Sequence, residues 1–113
     1  MGLMETSAQQ SMTEALDRLW GQFRSQMEER VALLEAANHA LAANKLSKDQ
    51  RGAANSAAHK LAGTLGTFGL TKGTVLAREA EMIYSGDAEP DLGSLPRLNE
   101  IAEQLKAIVA SRK

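Results

Sequence analysis

The sequence predicts an all-α fold, an antiparallel four-helix bundle. Apolar residues recur at spacings of mostly three, four and seven along most of the chain, which is the pattern of one-sided helices. Only two prolines interrupt 113 residues, and long stretches are rich in Ala, Leu, Glu, Gln and Lys, all good helix formers. No stretch alternates in the way a half-buried strand does. The length suits one domain, and four amphipathic helices with short connections pack most simply as an antiparallel bundle.

The first helix is expected from about Met12 to Ala43, where Leu16, Trp20, Phe23, Met27, Val31, Leu34 and Leu41 form one apolar stripe. Trp20 and Phe23 are expected in the core. "AANKLSKD" breaks this pattern, and Ser47 with Gln50 three residues later makes a capping box for a second helix. That helix is expected from about Lys48 to Phe68, with Ala54, Ala57, Ala58, Leu61, Leu65 and Phe68 facing inward. Gly69 fits its stop, and Thr71 is expected to cap a third helix over about Lys72 to Ser85. Its inward face is Leu76, Ala77, Ala80, Ile83 and Tyr84. "SGDAEPD" reads as a loop. A fourth helix begins somewhere between Asp91 and Pro96 and carries Leu98, Ile101, Leu105 and Ile108. The bundle is assigned to residues 12–113, after a flexible leader over residues 1–11. "MGLMETSAQQ" fits a loose myristoylation pattern through Gly2 and Thr6, but a frayed leader is the reading adopted.

Composition narrows the function. With 43% hydrophobic and 24% charged residues the chain is globular, not disordered. Thirteen basic residues against 14 acidic ones give a net charge of −1, which lacks the basic footprint of a nucleic-acid binder. The absence of cysteine excludes disulfides and thiol catalysis and is compatible with a reducing cytoplasm, the expected location. No apolar run reaches transmembrane length, so no membrane partner is expected.

The stretch "AHKLAGTLGTFGL", Ala58 to Leu70, holds three glycines and one histidine inside a predicted helix. With about 100° of rotation per residue and His59 taken as zero, Gly63 lies at roughly +40°, Gly66 near −20° and Gly52 near +20°. Ala62 falls at about −60°, Asn55 near −40° and Ser56 near +60°. Leu61, Leu65 and Phe68 cluster opposite. His59 therefore stands on an outward strip of small residues. Each interior glycine costs a helix about 1 kcal/mol against alanine, and glycines serving helix–helix contact belong on the apolar face. On the histidine face they make sense where a partner must approach the backbone. An exposed histidine and a glycine strip also occur on an ordinary solvated surface, and the residues by themselves leave that choice open.

"HKLAGTLGTFGL" resembles the signature of histidine phosphotransfer (HPt) domains: a histidine, an apolar residue two later, glycine four later, then further small residues. His59, Leu61, Gly63, Gly66, Gly69 and Leu70 fall in register with it. The resemblance is close over the central two helices, and the four-helix plan extends it over nearly the whole chain. It implies a phosphorelay intermediate: His59 accepts a phosphoryl group from the aspartyl phosphate of a response-regulator receiver and passes it to another receiver. It also implies a sensor or hybrid histidine kinase upstream, docking through Gly52, Asn55, Ser56, Ala62, Gly63 and Gly66, and a monomer. No cofactor is expected on the chain itself, since the receiver would bring the aspartate, Mg²⁺ and cationic stabilisation. Imidazole suits the task because a neutral nucleophilic nitrogen is available near neutral pH.

The sequence departs from the family pattern in one place. Many members carry lysine three residues after the histidine; here that residue is Ala62. Lys60, about 100° round the helix from His59, is a candidate phosphate contact, set against an ordinary solvated lysine. The family also tends to place a polar residue 22 positions after the histidine, here Glu81. A carboxylate there can accept Nδ1–H and orient the ring; the competing reading is a solvated glutamate, and Glu79 is a weaker candidate. His39 reads as an edge histidine. Two histidines without cysteine or H-E-x-x-H make a poor metal centre, and no Walker loop is present. The first alternative function is a phosphorylation-independent receiver-binding bundle, and the second a small metal-assisted hydrolase. The chain is not expected to be an enzyme in its own right.

Overall fold

The computed structural model describes the backbone of residues 2–112 and the side chains of residues 8–112. Four helices follow in order: α1 (Gly2–Ala42), α2 (Lys48–Thr67), α3 (Thr71–Ser85) and α4 (Leu95–Ser111). Each packs on two neighbours, α1 on α2 and α4, and α3 on α2 and α4. This is the four-helix bundle that the apolar periodicity predicts. Among the described residues there is no strand.

The core is the sum of the four stripes. Met27, Leu34, Leu61, Leu65, Leu98, Ile101 and Leu105 are buried with Trp20 and Tyr84. Phe23 is a correction: it is 37% exposed, not core. Trp20 takes the closing position at that end of the bundle, edge-on to Phe68 with ring centroids 5.1 Å apart. The Arg112 guanidinium lies 5.3 Å from the Trp20 ring centroid and 2.9 Å from Asp17 Oδ1. α1 extends N-terminal of this closure, and residues 8–14 are helical and exposed. α1 begins at Gly2, ten residues before the expected start at Met12, so the helix takes in most of the expected leader over residues 1–11; the side chains of residues 1–7, with the Gly2–Thr6 pattern, lie outside the described residues.

Local signals explain the ends. Asn44 ends α1 at φ 56°. Ser47 and Gln50 form the complete capping box of α2, with the Gln50 backbone N–H donating to Ser47 Oγ at 3.0 Å. Gly69, at φ +72°, turns the chain between α2 and α3, a conformation that favours glycine. Thr71 is not the cap of α3: Leu70 holds that position and makes no side-chain cap bond. α4 begins at Leu95, and Pro96 occupies its first turn, where a missing N–H costs nothing.

Two tertiary contacts are not legible as periodicity. Asn38 is 3% exposed; its amide donates to Leu98 O at 3.1 Å and its Oδ1 accepts from the Tyr84 hydroxyl. Arg51 of α2 donates to the carbonyls of Tyr84, Gly86 and Ala88, which ties the loop after α3 back to the start of α2.

Candidate functional site between α2 and α3

α2 and α3 form an antiparallel hairpin around the Gly69 turn, and that hairpin sets the site. His59 projects outward from α2 with its side chain 76% exposed. Its Nδ1 lies 3.1 Å from both carboxylate oxygens of Glu81 on α3. A carboxylate only accepts, so Nδ1 carries the hydrogen, and in the neutral ring Nε2 then keeps the lone pair. Glu81 is the more sheltered partner, its side chain 29% exposed. A fixed carboxylate therefore holds a freely presented imidazole in one tautomer.

The register of the hairpin carries further. One turn along each helix from the His59–Glu81 pair, Ala62 comes level with Arg78. Another turn brings Gly66 level with Thr74, and a Cβ on Gly66 would sit 3.4 Å from Thr74 Oγ1. Thr74 Oγ1 also donates to Ala62 O at 3.1 Å. Close approach is possible because Gly73 faces Leu65: a Cβ at Gly73 would come within 2.9 Å of Leu65 Cδ1 and 3.5 Å of Ile108 Cγ2. A cleft results, lined by His59, Ala62, Gly63, Arg78, Glu81 and Met82. On the other side of His59 a second, shallower groove runs toward α1, past Lys60, Gly63, Arg30, Leu19 and Phe23.

The predicted strip is present with one correction. Gly52, Ser56, Gly63 and Gly66 are exposed and Asn55 is half-buried. A Cβ on Gly52 or Gly63 would meet nothing within 4 Å, so packing within the chain does not require glycine at either position. Ala62, expected on this strip, is instead buried, 4% exposed. At about −60° it lies on the side that α3 covers, and it forms the wall of the cleft. Glu79 is drawn away from the histidine: Arg97 of α4 binds both its oxygens at 2.5 and 2.7 Å, and that hydrogen bonding holds its carboxyl below the usual carboxylate range. His39 is exposed near the end of α1. Lys60 is exposed and lines the groove on the α1 side of His59.

Sequence reasoning passed over Arg78 and Met82. Arg78 was within reach of it, because it stands three residues before Glu81 and so shares its face of α3. Arg30 donates to Thr64 Oγ1 at 3.3 Å across the α1–α2 interface, a contact that no local pattern announces.

Among the described residues, no group of three or more His, Asp or Glu side chains is placed to hold a metal ion. Nor is any helix there long and apolar enough to cross a membrane. The chain is similar to Protein RcaC of Microchaete diplosiphon, with 36% identity over 84 residues. That stretch is 74% of this chain and 13% of the relative, so the chain spans only a small part of the curated relative it matches. No solved structure matches the chain significantly. The family model for the Hpt domain matches residues 18–110. Because those residues reach into all four helices and include the cleft between α2 and α3, the chain belongs to the Hpt domain family.

Proposed function

We propose that the chain is a phosphorelay intermediate in which His59 accepts a phosphoryl group from a receiver-domain aspartate and passes it to a second receiver. Membership of the Hpt family places the chain in two-component phosphotransfer. The assignment to His59 rests on one observation above others: its Nδ1 is held by Glu81 while the rest of the ring stands in solvent. Nε2 is then the nucleophile. Its lone pair attacks phosphorus, the Nε2–P bond forms, and the P–O bond to the aspartyl carboxylate breaks. The carboxylate leaves with that electron pair. Nδ1 keeps its hydrogen, and Glu81 faces the positive charge that develops on the ring. Onward transfer runs the same steps in reverse with a different aspartate.

The bundle presents the nucleophile, and the receiver brings the aspartate, the Mg²⁺ and the charge stabilisation. Gly52, Ser56, Gly63 and Gly66, with Asn55 beside them, are the docking face: the open space above Gly52 and Gly63 lets the receiver's acidic pocket close over the imidazole. Such a module works as a monomer in the cytoplasm, with a sensor or hybrid histidine kinase upstream. A module that only binds receivers has no use for a carboxylate clamp on its exposed histidine, and this favours phosphotransfer.

The test is His59→Gln. His59 is exposed, so the variant should keep its helical circular dichroism while losing all labelling from a phosphorylated receiver. Undiminished labelling of this variant, or labelling lost only on His39→Gln, sinks the assignment.

A further inference from the structure

We propose that Arg78 binds the phosphoryl group carried on His59, supplying from α3 the cation that α2 lacks at Ala62. The inference rests on the reading of His59 as the acceptor and adds a residue to it.

The hairpin register carries the argument. With His59 facing Glu81, Arg78 stands one turn away on α3, level with Ala62, and it lines the same cleft as His59 and Glu81. Glu81 spends both oxygens on the imidazole, although it lies three residues from Arg78 and would otherwise be its natural partner. Among the described residues Arg78 makes no ion pair or side-chain hydrogen bond, so its guanidinium is available to an anion. Ala62, small and buried on the cleft wall, puts no side chain in its way.

Electrostatics favours a cation here. Phosphorylation of Nε2 brings a doubly negative group close to the Glu81 carboxylate. A guanidinium reaching over the cleft offsets that repulsion and meets phosphoryl oxygens with a planar fork of donors. The other cations near His59 lie on its α1 side, Lys60 and Arg30, and Arg30 is engaged with Thr64. The sign of the effect follows from the loose transition state of phosphoryl transfer. As the P–N bond lengthens, negative charge leaves the phosphoryl oxygens for the departing nitrogen. A cation on those oxygens therefore stabilises the phosphohistidine more than its breakdown, and lengthens its life.

The experiment phosphorylates the full chain with phosphoramidate, in which Nε2–P forms as the reagent's P–N bond breaks and ammonia leaves. It then follows phosphohistidine by ³¹P NMR. Arg78→Ala should shorten the half-life about threefold, the scale of one exposed charge contact. It should also raise the pH at which the phosphoryl resonance titrates by about half a unit. Arg78→Lys should recover part of both, since the charge returns without the fork, and Lys60→Ala should change each by less than Arg78→Ala does. A half-life and titration in Arg78→Ala equal to the parent's, or an effect carried by Lys60→Ala alone, overturns the role of Arg78 and leaves His59 as acceptor standing. Label that persists in His59→Gln overturns the acceptor assignment and this inference with it.

Discussion

The Nδ1 of His59 sits 3.1 Å from each carboxylate oxygen of Glu81, a residue 22 positions away on the neighbouring helix. The pair predicts a graded response. Glutamine at position 81 can still accept Nδ1–H through its amide oxygen, whereas leucine cannot. Glu81→Gln should keep most phosphoryl uptake, and Glu81→Leu should slow it by about tenfold, the scale at which loss of an orienting partner is usually felt. Single-turnover labelling from a phosphorylated receiver measures this. Equal rates in the parent and Glu81→Leu would show that the ring needs no anchor.

Gly63 offers a separation of stability from docking. A Cβ there meets nothing within 4 Å, and leucine is a better helix former by about 1 kcal/mol. Gly63→Leu should therefore raise the thermal midpoint by several degrees, on the order of 4–8 °C per kcal/mol for a domain of this size. The same variant should transfer phosphate more slowly, because leucine fills the space a receiver must enter. A variant that is stabilised and transfers at the parental rate would remove docking as the reason for glycine at this position.

Tyr84 makes alkaline stability a readout of the core. Its hydroxyl is buried on Asn38, and burial pushes its pKa up to about 12. An unfolded tyrosine ionises near 10, so the folded form holds its proton longer than the unfolded form does. The stabilisation is complete below about pH 10 and is lost as pH rises toward about 12. Tyr84→Phe should flatten that alkaline limb in urea titrations. At neutral pH it should cost about 1–3 kcal/mol, because Asn38 Oδ1 is left buried without a donor.

Glu79 and Arg97 give the acid counterpart. Hydrogen bonding from Arg97 lowers the Glu79 pKa below its ordinary value, so the pair contributes stability above the unfolded carboxylate pKa. That contribution is lost as pH falls through the lower folded value. The pair sits at the surface, with side chains 40% and 37% exposed, and salt should weaken it. Arg97→Met should reduce the loss of stability on acidification relative to the parent, and added salt should shrink the difference between them. Parallel acid limbs for the two proteins would show that the ion pair is not coupled to folding.

The sequence by itself determined the helices and the outward strip on which His59 stands. These depend on rotation about a single helix axis and on caps a few residues long: Leu61 and Leu65 fall opposite His59, and Ser47 with Gln50 starts α2, whatever the rest of the chain does. What needed the tertiary structure lies between helices. Single-helix geometry put Ala62 on the histidine side, and only the packing of α3 shows that it is covered. Phe23 reads as core by spacing, yet it stays 37% exposed at the rim of the groove beside α2, because a helix stripe marks a direction and not how fully a partner covers it. Glu79 and Glu81 are two residues apart on α3 and chemically alike. α4 brings Arg97 to one and α2 brings His59 to the other, and that placement alone separates an ion pair from a clamp on the imidazole. Arg78 became meaningful in the same way, once the antiparallel register set it level with Ala62. Periodicity fixes which way a side chain points along its own helix, and the approach of a second helix decides what it meets.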